Sequence, residues 1–243
     1  MKLALLHARA ATLELLRLPA YIIPTLAFPM LFFLVFAAPH VKAEEADVAA
    51  ALFAGFAVLG VALFQFGVGI ANERISPWEV YLRTLPVEPV VRFGGRVLSA
   101  ALFGTAAAAA VVVVALLVTP ASLPVWRWGA LAVALLLGGA PFALLGIALG
   151  YLATPRGALP IANLVYLGLS YCGGLWTTPD DLPDPVAQIS PYLPTRGFAD
   201  ALTGVVIGQP WRWRAWSMLA IYTAVFAAVA VWGYRRDEGQ RFR

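Results

Sequence analysis

The sequence predicts an all-α polytopic membrane protein. It should have six transmembrane helices, with a long charged cytoplasmic connection after the second and a long external connection before the last. Three observations carry this. Hydrophobic residues make up 61% of the 243 and charged residues only 12%, about half the roughly 25% typical of a soluble domain. Mean hydropathy is +0.81. The apolar residues also gather into long runs, six of which approach the ~20 residues needed to cross a hydrocarbon core.

Taken in order, the spans fall at about residues 20–38, 48–71, 97–118, 129–152, 158–176 and 214–234, and the whole chain reads as a single transmembrane domain. Ahead of them, the run Leu3–Leu6 is too short for the apolar core of a signal peptide. Residues 1–18 are expected at the inner membrane interface. The fourth and fifth spans are separated only by Thr154-Pro155-Arg156-Gly157, a tight turn. Pro141 predicts a kink in the fourth. Gly146 and Gly150 form a GxxxG pair that lets helices approach closely, either within one subunit or between subunits.

An even number of spans places both termini on one side, and charge chooses which. Twelve of the 17 lysines and arginines, Arg74, Arg156 and Arg235 among them, fall on the face shared with the termini. The other face carries the acidic clusters Glu44–Glu45–Asp47 and Asp180–Asp181–Asp184. The positive-inside rule therefore sets both termini in the cytoplasm of a multi-pass cell-membrane protein. Trp126, Trp128, Trp176, Trp211, Trp213 and Trp216 fall at external ends, where an aromatic belt belongs. The net charge of +4 reflects this topology, and no nucleic-acid partner is expected.

Several chemistries lack raw material. Neither Lys2 nor Lys42 sits in a phosphate-binding loop, so ATP hydrolysis within this chain is not expected. His7 and His40 lie outside the spans, and there is no H-E-x-x-H or G-x-S-x-G. No catalytic residue and no metal ligand is assigned. Apart from Arg214 at the edge of the sixth, the spans contain no ionisable Asp, Glu, Lys, Arg or His. That disfavours ion-coupled transport, which needs groups to carry the coupling charge. Gln65 and Asn163 are the only amides in the spans. They can join helices or face a pathway. The lone Cys172 reads as a small buried hydrophobe.

Two connections exceed simple turns. The cytoplasmic one, residues 72–96, opens with NERISPWEVYLRTLP, which carries four charges in fifteen residues. Ser76 can act as N-cap, Pro77 suits the first helical position, and Glu79 completes a capping box. Pro86 ends the helix, giving Pro77–Leu85 a length of about 13 Å. Trp78, Tyr81, Leu82 and Leu85 share one face, while Glu79 and Arg83 pair i,i+4 on the other. Nine residues are too few to hold a helix alone in water, so its apolar face needs a cover. That cover is the membrane surface or a groove on a cytoplasmic partner. The external connection, residues 177–213, contains a nearly apolar stretch Phe198–Gly208 with Thr195 positioned to cap it. Such a helix should dip into the outer leaflet or pack on the spans.

The order of these features resembles the type-2 ABC exporter permeases, whose membrane subunits have six spans. In that family a charged segment after the second span, commonly E-R-E-x-G-x-x-x-x-L-x-x-x-P, forms a coupling helix. Here Asn72-Glu73-Arg74, Trp78, Leu82 and Leu85-Pro86 follow that order. Gly173-Gly174-Leu175, Pro179, Leu182-Pro183, Gln188-Ile189 and Tyr192-Leu193-Pro194-Thr195 are similar to the family's stretch between its last two spans. The usual R-E-x-G becomes Arg74-Ile75-Ser76-Pro77, and Glu79 can stand in for the missing acid.

The resemblance implies that two permease subunits, identical or different, form a pore in the lipid bilayer. Separately encoded cytoplasmic ABC ATPases, which bind ATP and Mg, would grip the coupling helices. Ser76, Pro77, Trp78, Glu79, Tyr81, Leu82, Arg83 and Leu85 would form that contact. The re-entrant helices would span about 182–208, with Leu182, Pro183, Tyr192, Leu193, Pro194 and Phe198 at an external gate. Gln65, Asn163, Tyr166 and Tyr171 would line a pathway, and its apolar, aromatic walls suit an amphiphilic or hydrophobic cargo. This chain would bind no cofactor directly. Two other readings stay open: a non-transporting assembly or scaffold protein, and a membrane-embedded lipid enzyme using Asp180, Asp181 and Asp184.

Overall fold

A computed structural model describes residues 19–77, 89–176 and 182–241, together with Arg9, Thr12, Leu13, Leu16 and Arg17. The regular elements among the described residues are all helices, joined by turns and short loops. Helix α1 covers Pro19–Phe32 and continues as a π-helical turn, Phe33–Ala37. Helix α2 runs over Ala46–Glu73 and is π-helical across Ala62–Val68. Then come α3 (Pro89–Val118), α4 (Val125–Leu152) and α5 (Pro155–Cys172). Two short helices follow, α6 (Asp184–Ile189) and α7 (Pro194–Val206), joined by a 3₁₀ turn at Ser190–Tyr192. Helix α8, Trp213–Arg241, closes the order.

Among the described residues, four helices are long and apolar enough to cross a membrane: α2, α3 from Arg96, α4, and α8 as far as Glu238. They correspond to the second, third, fourth and sixth expected spans. The first and fifth form the shorter α1 and α5. Helix α5 has 18 residues, and Arg156, Pro160 and Asn163 dilute its apolar character. The chain is thus an all-α polytopic membrane protein with several long apolar helices.

Helix α2 lies at the centre: 72% of its most apolar stretch is buried, against 17% for α8. Its residues Phe53, Phe56, Leu59, Leu63 and Phe66 are almost wholly buried and join one core with Val111, Phe142, Tyr166 and Phe198 from four other helices. The outward faces stay apolar. Leu117, Leu164 and Val125 are 78%, 76% and 88% exposed, the inversion expected where lipid replaces water as solvent.

Two close approaches shape the bundle. A Cβ at Gly146 would lie 2.4 Å from the Ala62 carbonyl oxygen, and one at Gly150 would lie 2.8 Å from that of Phe66. The GxxxG pair therefore lays α4 directly on the π-helical part of α2, a contact within the subunit. The second is the turn between α4 and α5. There the Thr154 hydroxyl accepts from the Gly157 N–H at 3.1 Å and Pro155 begins the helix, an N-terminal cap inside the expected tight turn.

Candidate functional site

The exit of α2 leads into the segment after Pro77, and charge fixes its base. Glu73 is ion-paired with Arg96 of α3. Arg74 reaches two other helices. Its Nη1 donates to Asp237 Oδ1 of α8 at 2.9 Å and to the Tyr151 carbonyl of α4 at 2.9 Å; its Nη2 donates to the Ala153 carbonyl at 2.5 Å. The side chains of Arg74 and Asp237 are 15% and 9% exposed. Carbonyls at a helix C-terminus lack intrahelical partners and carry the negative end of the dipole, so a guanidinium is well matched there. Removing either partner of such a buried pair strands a charge, at a cost of about 3–5 kcal/mol.

The chain bends at Ser76, and Pro77 is already helical. Trp78, Glu79, Tyr81, Leu82, Arg83 and Leu85 lie outside the described residues. Asp237 escaped the sequence reading because it is one of two adjacent acids, with Glu238, in a basic tail. Its signal was only that acids follow Arg235–Arg236 at the end of a long apolar helix.

At the other end of the bundle, α6 and α7 fold in among the long helices. Phe198 is fully buried. It packs on α2 and α4, where a Cβ at Gly55 or Gly138 would lie 3.2 or 2.5 Å from its ring atoms. Gly138 is 13 residues into α4, about 20 Å at 1.5 Å per residue, so α7 reaches well into the bundle. On the opposite side Gly197 lies against the backbone and Met218 of α8. Leu182 and Pro194 are buried and Leu193 half-buried, while Pro183 and Tyr192 are exposed. The Tyr192 carbonyl accepts from Tyr222 Oη at 2.6 Å.

Thr195 does not cap α7 as expected. Leu193 occupies that position without a side-chain hydrogen bond. The Thr195 hydroxyl instead donates to the Leu169 carbonyl at 2.7 Å, binding α7 to α5. The close approach of Gly173 to Thr195 decides this; a Cβ there would lie 2.1 Å from Thr195 Oγ1. The C-terminus of α7 is closed twice over. Gln209 and Gly208 N–H groups bond back to the Gly204 and Val205 carbonyls, with Gly208 at φ +84°. Arg127 Nη1 also donates to the Val206 carbonyl at 2.5 Å. Arg127 and Val206 are 79 residues apart, so no local pattern marks this contact.

The four expected pathway residues have different surroundings. Tyr166 is buried, stacked on Phe56 with ring centroids 4.4 Å apart, and its hydroxyl donates to the Phe56 carbonyl at 3.2 Å. Tyr171 is half-buried beside Trp176, 6.1 Å between centroids. Gln65 Nε2 donates to Ser99 Oγ at 3.3 Å, and Thr12 reaches the same hydroxyl at 3.2 Å. That amide therefore joins helices. Asn163 is exposed on α5. Cys172 is half-buried rather than buried. Among the described residues no three His, Cys, Asp or Glu side chains cluster as a metal site would require.

The sequence pattern described as "ABC-2 family transporter protein" matches residues 42–232, from the loop before α2 to within α8. The chain belongs to this ABC-2 family. A protein of Bacillus subtilis (strain 168) named "Putative transport permease YvfS" is 22% identical over 231 residues, 93% of this chain and 94% of that one. No solved structure matches significantly. The ABC-2 match takes in both features built above, the Arg74 clamp as far as its α4 partners and the whole of α6–α7. Only Asp237 falls beyond it. At family level the protein is a multi-span membrane transport permease.

Proposed function

We propose that this chain is the transmembrane subunit of an ATP-driven exporter. The family match over residues 42–232 carries the reading. In it, α1 and α5 complete six spans. Helix α5, with 18 residues, measures about 27 Å at 1.5 Å per residue, close to the ~30 Å hydrocarbon core. Both termini face the cytoplasm, and α6–α7 enter from outside as re-entrant helices. Separate ABC ATPases hydrolyse ATP with Mg and grip the coupling helix through Trp78, Tyr81, Leu82 and Leu85, whose start Ser76, Pro77 and Glu79 set. Arg83 pairs with Glu79 or with the ATPase. A second permease subunit completes the pore. The aromatic cluster of Phe32, Phe56, Tyr166 and Trp176 supports an amphiphilic or hydrophobic cargo.

The test is capture of the tagged protein from its native membranes in mild detergent, followed by an ATPase assay. The expected result is a co-purifying subunit with a phosphate-binding loop, lost when Trp78→Ala is combined with Leu82→Glu. Purification without an ATPase would overturn the reading.

A further inference from the structure

We infer that Arg74 and Asp237 are positioning residues for transport: they join the base of the coupling segment to α4 and α8, so that its displacement moves both helices together. This rests on the exporter reading above and adds to it the route by which force leaves the segment.

Four observations converge. The Glu73–Arg96 pair ties the end of α2 to α3. Arg74, the next residue, bonds to three acceptors on α4, the turn after it, and α8. Its guanidinium presents a planar fork that a lysine cannot reproduce. The contact is largely out of solvent, where an ion pair is little screened.

Finally, α4 and α8 are the two long helices that grip opposite sides of α7: Gly138 of α4 against Phe198, and Ala215 and Met218 of α8 against Gly197. Close-packed helices shift as units rather than deform continuously. A push on the Arg74 clamp therefore arrives at α7 from both sides at once, at the far end of the bundle.

The test uses the permease–ATPase complex reconstituted in phospholipid vesicles, with ATP as the only probe. Asp237→Asn keeps the shape and removes the charge; Asp237→Glu keeps the charge. In Asp237→Asn we expect insertion and ATPase capture to persist and KM for ATP to be unchanged. The kcat should fall about tenfold, the scale of one charge-assisted hydrogen bond. Asp237→Glu should restore most of the rate. A purely structural contact would lower yield and thermal stability but leave kcat of the surviving complex intact.

Wild-type kcat in Asp237→Asn overturns the inference, as does loss of ATPase capture in both variants. If Asp237→Asn fails to insert, Arg74→Lys takes its place with the same readouts, because it retains the charge but not the fork. Should the wild-type protein capture no ATPase, the exporter reading itself fails, and the inference with it.

Discussion

At the scale of single residues, the glycines separate into those that hold helices together and those that merely occupy them. Gly146 would bring a Cβ to 2.4 Å from a backbone oxygen, whereas nothing lies within 4 Å of a Cβ at Gly129. A backbone atom cannot swing aside as a side chain can. Gly146→Ala should therefore destabilise the protein by about 1–3 kcal/mol, the usual cost of overpacking. Gly129→Ala should be neutral or slightly stabilising. The midpoint of thermal aggregation in detergent measures both. Thr195→Val removes the hydroxyl that bonds Leu169 and keeps the side-chain shape. The Leu169 carbonyl keeps the Gly173 N–H at 2.9 Å, so the expected loss is that of one hydrogen bond, about 0.5–1.5 kcal/mol, in the same assay.

At the scale of elements, α7 behaves as part of the core. Ten of its 13 residues are buried, so it cannot swing freely as an external loop helix would. Phe198→Ala opens a cavity against Gly55, Gly138 and Phe142, and a loss of about 3–5 kcal/mol is expected. Arg127→Met keeps an apolar stem but removes the cation from the C-terminus of α7. It should cost up to about 2 kcal/mol. Hydrogen exchange would localise that loss to α7 and leave α2 protected.

At the scale of the whole molecule, the Arg74 end and the α7 end are joined through α4 and α8. On the exporter reading proposed above, Glu79→Lys should lower ATP hydrolysis by the complex while leaving membrane insertion intact, because it reverses a charge in the segment expected to meet the ATPase and changes none of the spans. Insertion is read by carbonate extraction and hydrolysis by phosphate release. Unchanged hydrolysis would count heavily against the helix acting as a lever.

Much of this was legible before any fold was known. Composition, apolar runs and charge asymmetry determined the membrane class, the order of the helices and the approximate limits of the long ones. The reason is that a bilayer demands about 20 apolar residues and internal satisfaction of every backbone group. The close-packing role of Gly146 and Gly150 was equally readable from spacing. Partners distant in sequence were not. Arg74 and Asp237 are 163 residues apart, and no local period links them. Thr195 had the position of a cap and became a bolt to α5, because a glycine 22 residues earlier left room for its hydroxyl. Gln65 could by its chemistry join helices or face a pathway, and its bond to Ser99 joins α2 to α3. A polar group shut away from water takes whichever acceptor or donor the packing brings near, and only the tertiary structure decides which that is.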